Sequence, residues 1–154
     1  MTRKSESMRL RIIILAVFFA SSLIAFARKQ ETVAELIARA ESSKLDDRPH
    51  LYTEIGRRQV KAADELYAAG KPEEGRAAVR DVVQYSDKAR DAATQSGKKL
   101  KDTEIAVRKM VARLRDIKRT LPFEDQGPVQ DAVDHLEQVR TELLSQMFGK
   151  KENK

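Results

Sequence analysis

The stretch TQSGKKLKD, residues 94–102, is where the reading of the fold is decided. Upstream of it, Ala78, Val79, Val82, Val83, Ala89 and Ala93 recur at the three-and-four spacing of one helix face. The same spacing continues past Gly97 to Leu100 and Val107. Read through, the stretch lies inside one helix of about fifty residues; interrupted, it joins two helices of ordinary length. Glycine costs a helix interior about 1 kcal/mol relative to alanine, and the run of polar residues around it gives a helix no face to bury. A turn is therefore expected at Gly97.

Working outward, other punctuation divides the chain into segments of similar length. In LYAAGKPEEGRAAV, residues 66–79, Gly70 ends one helix, Pro72 opens the next, and Glu73 and Glu74 stand in its first turn, where negative charge complements the helix dipole. The segment before it starts at DDRPHLY, with Asp46 or Asp47 expected to cap and Pro49 in the first turn, and runs to Ala69. Its apolar stripe is Leu51, Ile55, Ala62, Leu66 and Ala69, widened by Val60, Ala63 and Tyr67. The second helix is expected from Pro72 to about Ser96. The third, from about Lys98 to Thr120, carries Val107, Met110, Val111, Leu114, Ile117 and Leu121; the fourth, from about Pro128 to Phe148, carries Val129, Ala132, Val133, Leu136, Val139, Leu143 and Met147. A short helix over Glu31–Ser42 precedes them, and no segment alternates as a strand would. The fold class expected is all-α: an antiparallel up-and-down helical bundle of about four long helices plus a short N-terminal helix, one domain over residues 28–148, followed by a polar, fraying tail over 149–154.

The first 27 residues read as an address label. A basic flank (Arg3, Lys4, Arg9, Arg11) leads into an apolar run of about 16 residues, Ile12 to Ala27, that closes on Ala25-Phe26-Ala27, a pattern suited to signal peptidase. The run falls short of the roughly 20 residues of a stable membrane-spanning helix. Cleavage after Ala27 and export to a periplasmic or extracellular compartment are expected. Loss of those four basic residues and of Glu6 lowers the formal charge from +6 to +3, so much of the basicity leaves with the label. With no cysteine in the chain, neither a disulfide framework nor lipid attachment through cysteine is available, and stability must come from packing.

Chemistry is sparse. Asp131, Asp134 and His135 share a helix, but without a second helical histidine or a cysteine they make no zinc motif, and no metal or other cofactor is expected. No nucleophile elbow or phosphate loop occurs, and the acid pairs Asp46 with Asp47, Glu73 with Glu74 and Glu124 with Asp125 all fall at helix starts; the chain is not read as an enzyme. The most uneven charge lies in KKLKDTEIAVRKMVARLRDIKR, residues 98–119, with nine basic residues against three acidic ones. Lys101, Arg108 and Arg115 recur every seven residues and, with Arg119, form a candidate surface for anions or for an acidic partner. The bland reading is a solvated face answered by acids on neighbouring helices. No interleaved aromatics suit base stacking, so nucleic acid is not expected as a partner. Tyr52, Tyr67 and Tyr85 are expected at the rim of the core rather than in an exposed groove.

The stretch 66–79 resembles the middle of a tetratricopeptide repeat as a single partial unit. Leu66 stands at the large position, Gly70 at the turn, Gly75 at the small position of the second helix, Ala63 at a small position of the first, and Val79 in the core. Gln59 stands near where an aromatic is usual, the second helix is long, no closing proline follows, and the pattern does not recur at the 34-residue period. The resemblance implies a surface for peptides or proteins rather than a reaction. The function expected is thus that of an exported, non-catalytic interaction or scaffold module of the cell envelope with an unidentified protein partner. The alternative is a binder of anionic envelope surfaces, lipid headgroups or charged polymer, through the basic helix face.

Overall fold

The computed structural model describes residues 31–149; the leader read over residues 1–27 and nearly all of the tail lie outside them. Five helices follow one another: α1 (Val33–Ser42), α2 (Arg48–Ala68), α3 (Pro72–Ser96), α4 (Leu100–Thr120) and α5 (Phe123–Phe148). The described residues contain no strand, and no described helix is long and apolar enough to cross a membrane.

The chain does turn at Gly97. Gly97 and Lys99 both take left-handed backbone, φ 65° and 63°, and the Ser96 hydroxyl accepts from the Lys98 N–H while donating to the Ala92 carbonyl. At the earlier corner, Gly70 (φ 71°) closes α2 with two reversed hydrogen bonds, Gly70 N–H to Tyr67 O and Lys71 N–H to Leu66 O, the arrangement in which glycine ends a helix without a steric penalty. Gly75 plays the small-residue role: a Cβ there would lie 3.0 Å from three atoms of the Tyr67 ring.

Three local expectations are corrected. Asp47 precedes α2, but neither it nor Asp46 caps the helix through its side chain; the capping box belongs to α1, where Thr32 and Glu35 exchange bonds. Ala69 is exposed, because it lies in the corner beyond the last buried turn of α2. The last helix begins at Phe123, with Pro128 inside it. Its first turn is held from elsewhere: Arg76 on α3 donates to Asp125, and the Gln126 amide donates to the Leu121 carbonyl. Pro128 removes one N–H bond near the exposed start of the helix, where the neighbouring carbonyl can turn to water.

Successive long helices run antiparallel, as two hairpins, α2–α3 and α4–α5, that lie side by side with α3 along α5 and α2 along α4. Contacts from Arg76 to Asp125, Asp87 to His135 and Arg90 to Glu142 climb α3 and α5 in the same direction, so these two helices are parallel. The main core takes its largest side chains from α4 and α5 (Met110, Leu114, Ile117, Leu136, Leu143) and small ones from α2 and α3 (Ala63, Ala78, Val82, Ala93). Small residues let the helices approach closely; a Cβ on Gly56 would meet the Met110 sulfur at 2.9 Å. A second cluster forms where α1 lays Leu36 and Ala40 against Leu51, Tyr52 and Ile55 of α2 and Tyr85, Ala89 and Ala92 of α3. Lys88 Nζ sits 5.4 and 5.5 Å from the Tyr52 and Tyr85 ring centres and donates to Glu41 at 2.7 Å, clamping α1 to the hairpin.

Candidate functional site

The heptad stripe of α4 projects to solvent, but three of its four members are engaged within the bundle. Glu104, buried between α4 and α5, accepts from Arg140 Nε and Nη2 at 3.0 and 2.9 Å; Arg140 also donates to Glu137, at 2.6 Å. Arg108 approaches Glu104 at 3.9 Å, and Arg115 donates to Glu137 at 2.8 Å. Arg108, Glu104, Arg140, Glu137 and Arg115 thus form one alternating ladder along the α4–α5 seam. Arg119, three-quarters exposed, pairs with Asp116 one turn away. Lys101 is exposed and makes no ion pair among the described residues. The stripe is therefore largely the answered face described above, and its heptad spacing reflects a seam with a neighbouring helix.

A different surface stands out between the parallel helices α3 and α5. There a groove of about 650 Å³ has an apolar floor of Val79, Val83, Pro128 and Ala132. Val79 and Ala132 belong to the core and Val83 is half-buried, so the floor is continuous with the interior and rigid. The two walls differ in charge. Arg76 and Arg80 line the α3 side and Asp131 the α5 side, while Asp87 and His135 close one end. His135 Nε2 lies 3.0 and 3.1 Å from the two carboxylate oxygens of Asp87; an ionised carboxylate only accepts, so the ring N–H donates. His135 therefore reaches across to α3 rather than back to Asp131. At the other end Arg76 is tied to Glu73 and Asp125, and the Asp125 bond holds its guanidinium above the ordinary arginine value. Arg80 is exposed and makes no ion pair among the described residues.

From Arg76 to Asp87 the groove follows three turns of α3, about 16 Å at 1.5 Å per residue. Such a surface can take the apolar side chains of a short amphipathic segment, with an acidic group against Arg80 and a basic one against Asp131. The described residues contain no cluster of three or more histidines and acids placed to hold a metal ion. The sequence reading missed this groove because its floor comes from two helices some fifty positions apart. Val83 and Pro128 gave the only local signal, an apolar residue at the edge of its stripe and a proline on an exposed face. Of the tyrosines, Tyr52 and Tyr85 are buried against each other, 6.1 Å between ring centres, and Tyr67 is half-buried over Gly75, so all three belong to the core and its rim. Comparison with known protein families, with curated proteins and with solved structures finds no match to this chain.

Proposed function

We propose that this protein is a non-catalytic interaction module of the exported compartment that holds an amphipathic segment of a partner protein in the groove between α3 and α5. One observation carries the reading: an apolar floor continuous with the core, left open between walls of opposite charge. Its volume lies within the range of about 300–1,000 Å³ common for ligand sites, and its length suits a helical segment of about three turns. The export part of the proposal rests on the N-terminal sequence alone. A second reading, binding of anionic envelope surfaces by α4, is favoured only by the exposure of Lys101 and Arg119, since the ladder engages Arg108 and Arg115.

The test is site-directed photocrosslinking in the native envelope, with the crosslinker at Val83 in the groove or at Ala112 on the exposed face of α4. A discrete adduct from position 83, absent from position 112 and lost on Arg80→Glu, is expected. Equal labelling from both positions, or none from position 83, would sink the groove reading. Loss of binding to acidic vesicles on replacing Lys101 and Arg119 by Glu, with no adduct from position 83, would favour the second.

A further inference from the structure

On the other side of the molecule, a cavity of about 230 Å³ lies between the first half of α2 and the first turns of α4. It is smaller than the sites that take drug-sized ligands, so it suits one small group. Three cations line it, Arg57, Lys99 and Lys109, against one acid, Asp102. Arg57 spends one nitrogen on Glu54, at 2.8 Å, and Lys99 reaches Asp102 only at 3.6 Å. Lys109 makes no ion pair among the described residues.

The wall also holds Thr103, which is 2% exposed. The Thr103 backbone N–H takes the Lys99 carbonyl at 2.8 Å, and the hydroxyl adds no second bond to that carbonyl. The Thr103 hydroxyl makes no hydrogen bond among the described residues, and Thr103 lines the cavity, where the hydroxyl is free to donate to a group held inside. The free N–H groups of the first turn of α4 lie beside it and add to the positive potential.

We infer that this cavity binds a phosphoryl-type oxyanion, with Arg57, Lys99 and Lys109 supplying charge and the Thr103 hydroxyl a directed hydrogen bond. A tetrahedral dianion offers acceptors in several directions at once, matching donors that converge from two helices. The site is separate from the α3–α5 groove and from the ladder, and its failure leaves the groove reading untouched. The same chemistry could come from free phosphate or from a phosphomonoester lipid headgroup.

The experiment is a titration of the full-length protein with inorganic phosphate at constant ionic strength, followed by amide NMR shifts and calorimetry. Saturable shifts centred on Thr103 are expected, weakened at least tenfold by Thr103→Val and by Lys109→Gln, restored by Thr103→Ser, and unchanged by Arg115→Gln on the ladder. Vesicles carrying phosphatidic acid, compared with phosphatidylglycerol, separate the sources: preference for the monoester, competed by phosphate, assigns the headgroup, and phosphate binding without vesicle binding assigns the free ion. Unsaturable shifts spread over all basic residues, or equal weakening by Arg115→Gln, would overturn the assignment.

Discussion

At the scale of single residues, the corners carry more than their share of the fold. Gly97 holds φ 65° with open space around its Cα, so a side chain there meets no clash and the cost of replacing it is purely one of backbone. Gly97→Ala is expected to destabilise the protein by about 1–2 kcal/mol in urea unfolding, the penalty for an L-residue in left-handed backbone. The Lys88–Glu41 contact makes a pH-dependent contribution. Lys88 donation holds Glu41 below its ordinary value of 4.5, and Glu41 holds Lys88 above its ordinary 10.5. The carboxylate term is complete above 4.5 and fades as the pH falls through the lowered folded value; the lysine term is complete below 10.5 and fades as the pH rises through the raised one. Both side chains are more than a third exposed, so solvent discounts the pair to about 0.5 kcal/mol. The stability difference between wild type and Glu41→Gln should hold at neutral pH and shrink under acid, read from urea midpoints across the pH range.

Among elements, the seam between α4 and α5 concentrates the risk. Glu104 is 7% exposed and depends on Arg140, which reaches it with two nitrogens. Arg140→Met should cost about 3 kcal/mol by leaving a buried carboxylate with only the distant contact from Arg108, whereas Arg140→Met combined with Glu104→Leu should recover most of that loss. A double-mutant cycle in urea measures both. The helices themselves were largely legible in the sequence: the buried residues of α5 and most of those of α4 lie in the apolar stripes read from spacing, with Thr103, Glu104 and Ala106 buried besides, and the turns at Gly70 and Gly97 follow from what glycine permits. The start of α5 was not legible. Pro128 gave a local signal for a beginning, but the helix starts five residues earlier, at Phe123, in a turn that Arg76, 49 positions away from Asp125, also contacts.

For the whole molecule, amphipathic stripes say that helices pack but not in which order around the core. An up-and-down chain is compatible with several arrangements, and the one adopted places α3 directly beside α5, which runs parallel to it. The α3–α5 groove exists only because of that choice, which is why no reading of consecutive residues could find it. The basic residues of α4 show the converse: their spacing was visible, but Glu137, which answers Arg115, and Asp64, which answers Arg113, lie on other helices, and only the fold shows that the charge is mostly answered.

Two hairpins lying side by side form a stack, and a stack has flanks on which a further hairpin can dock. Here one hairpin, α2–α3, is covered by α1 with its own apolar cluster, and the seam of the other carries the alternating charges of Arg108, Glu104, Arg140, Glu137 and Arg115. A charged seam is a poor surface for a further apolar hairpin, so the ladder is expected to oppose end-on stacking of copies. Replacing Arg108, Arg115 and Glu137 together by leucine should leave the helical content unchanged and produce concentration-dependent association in sedimentation equilibrium. A monomer at every concentration would show that the length of this stack is limited by something other than charge.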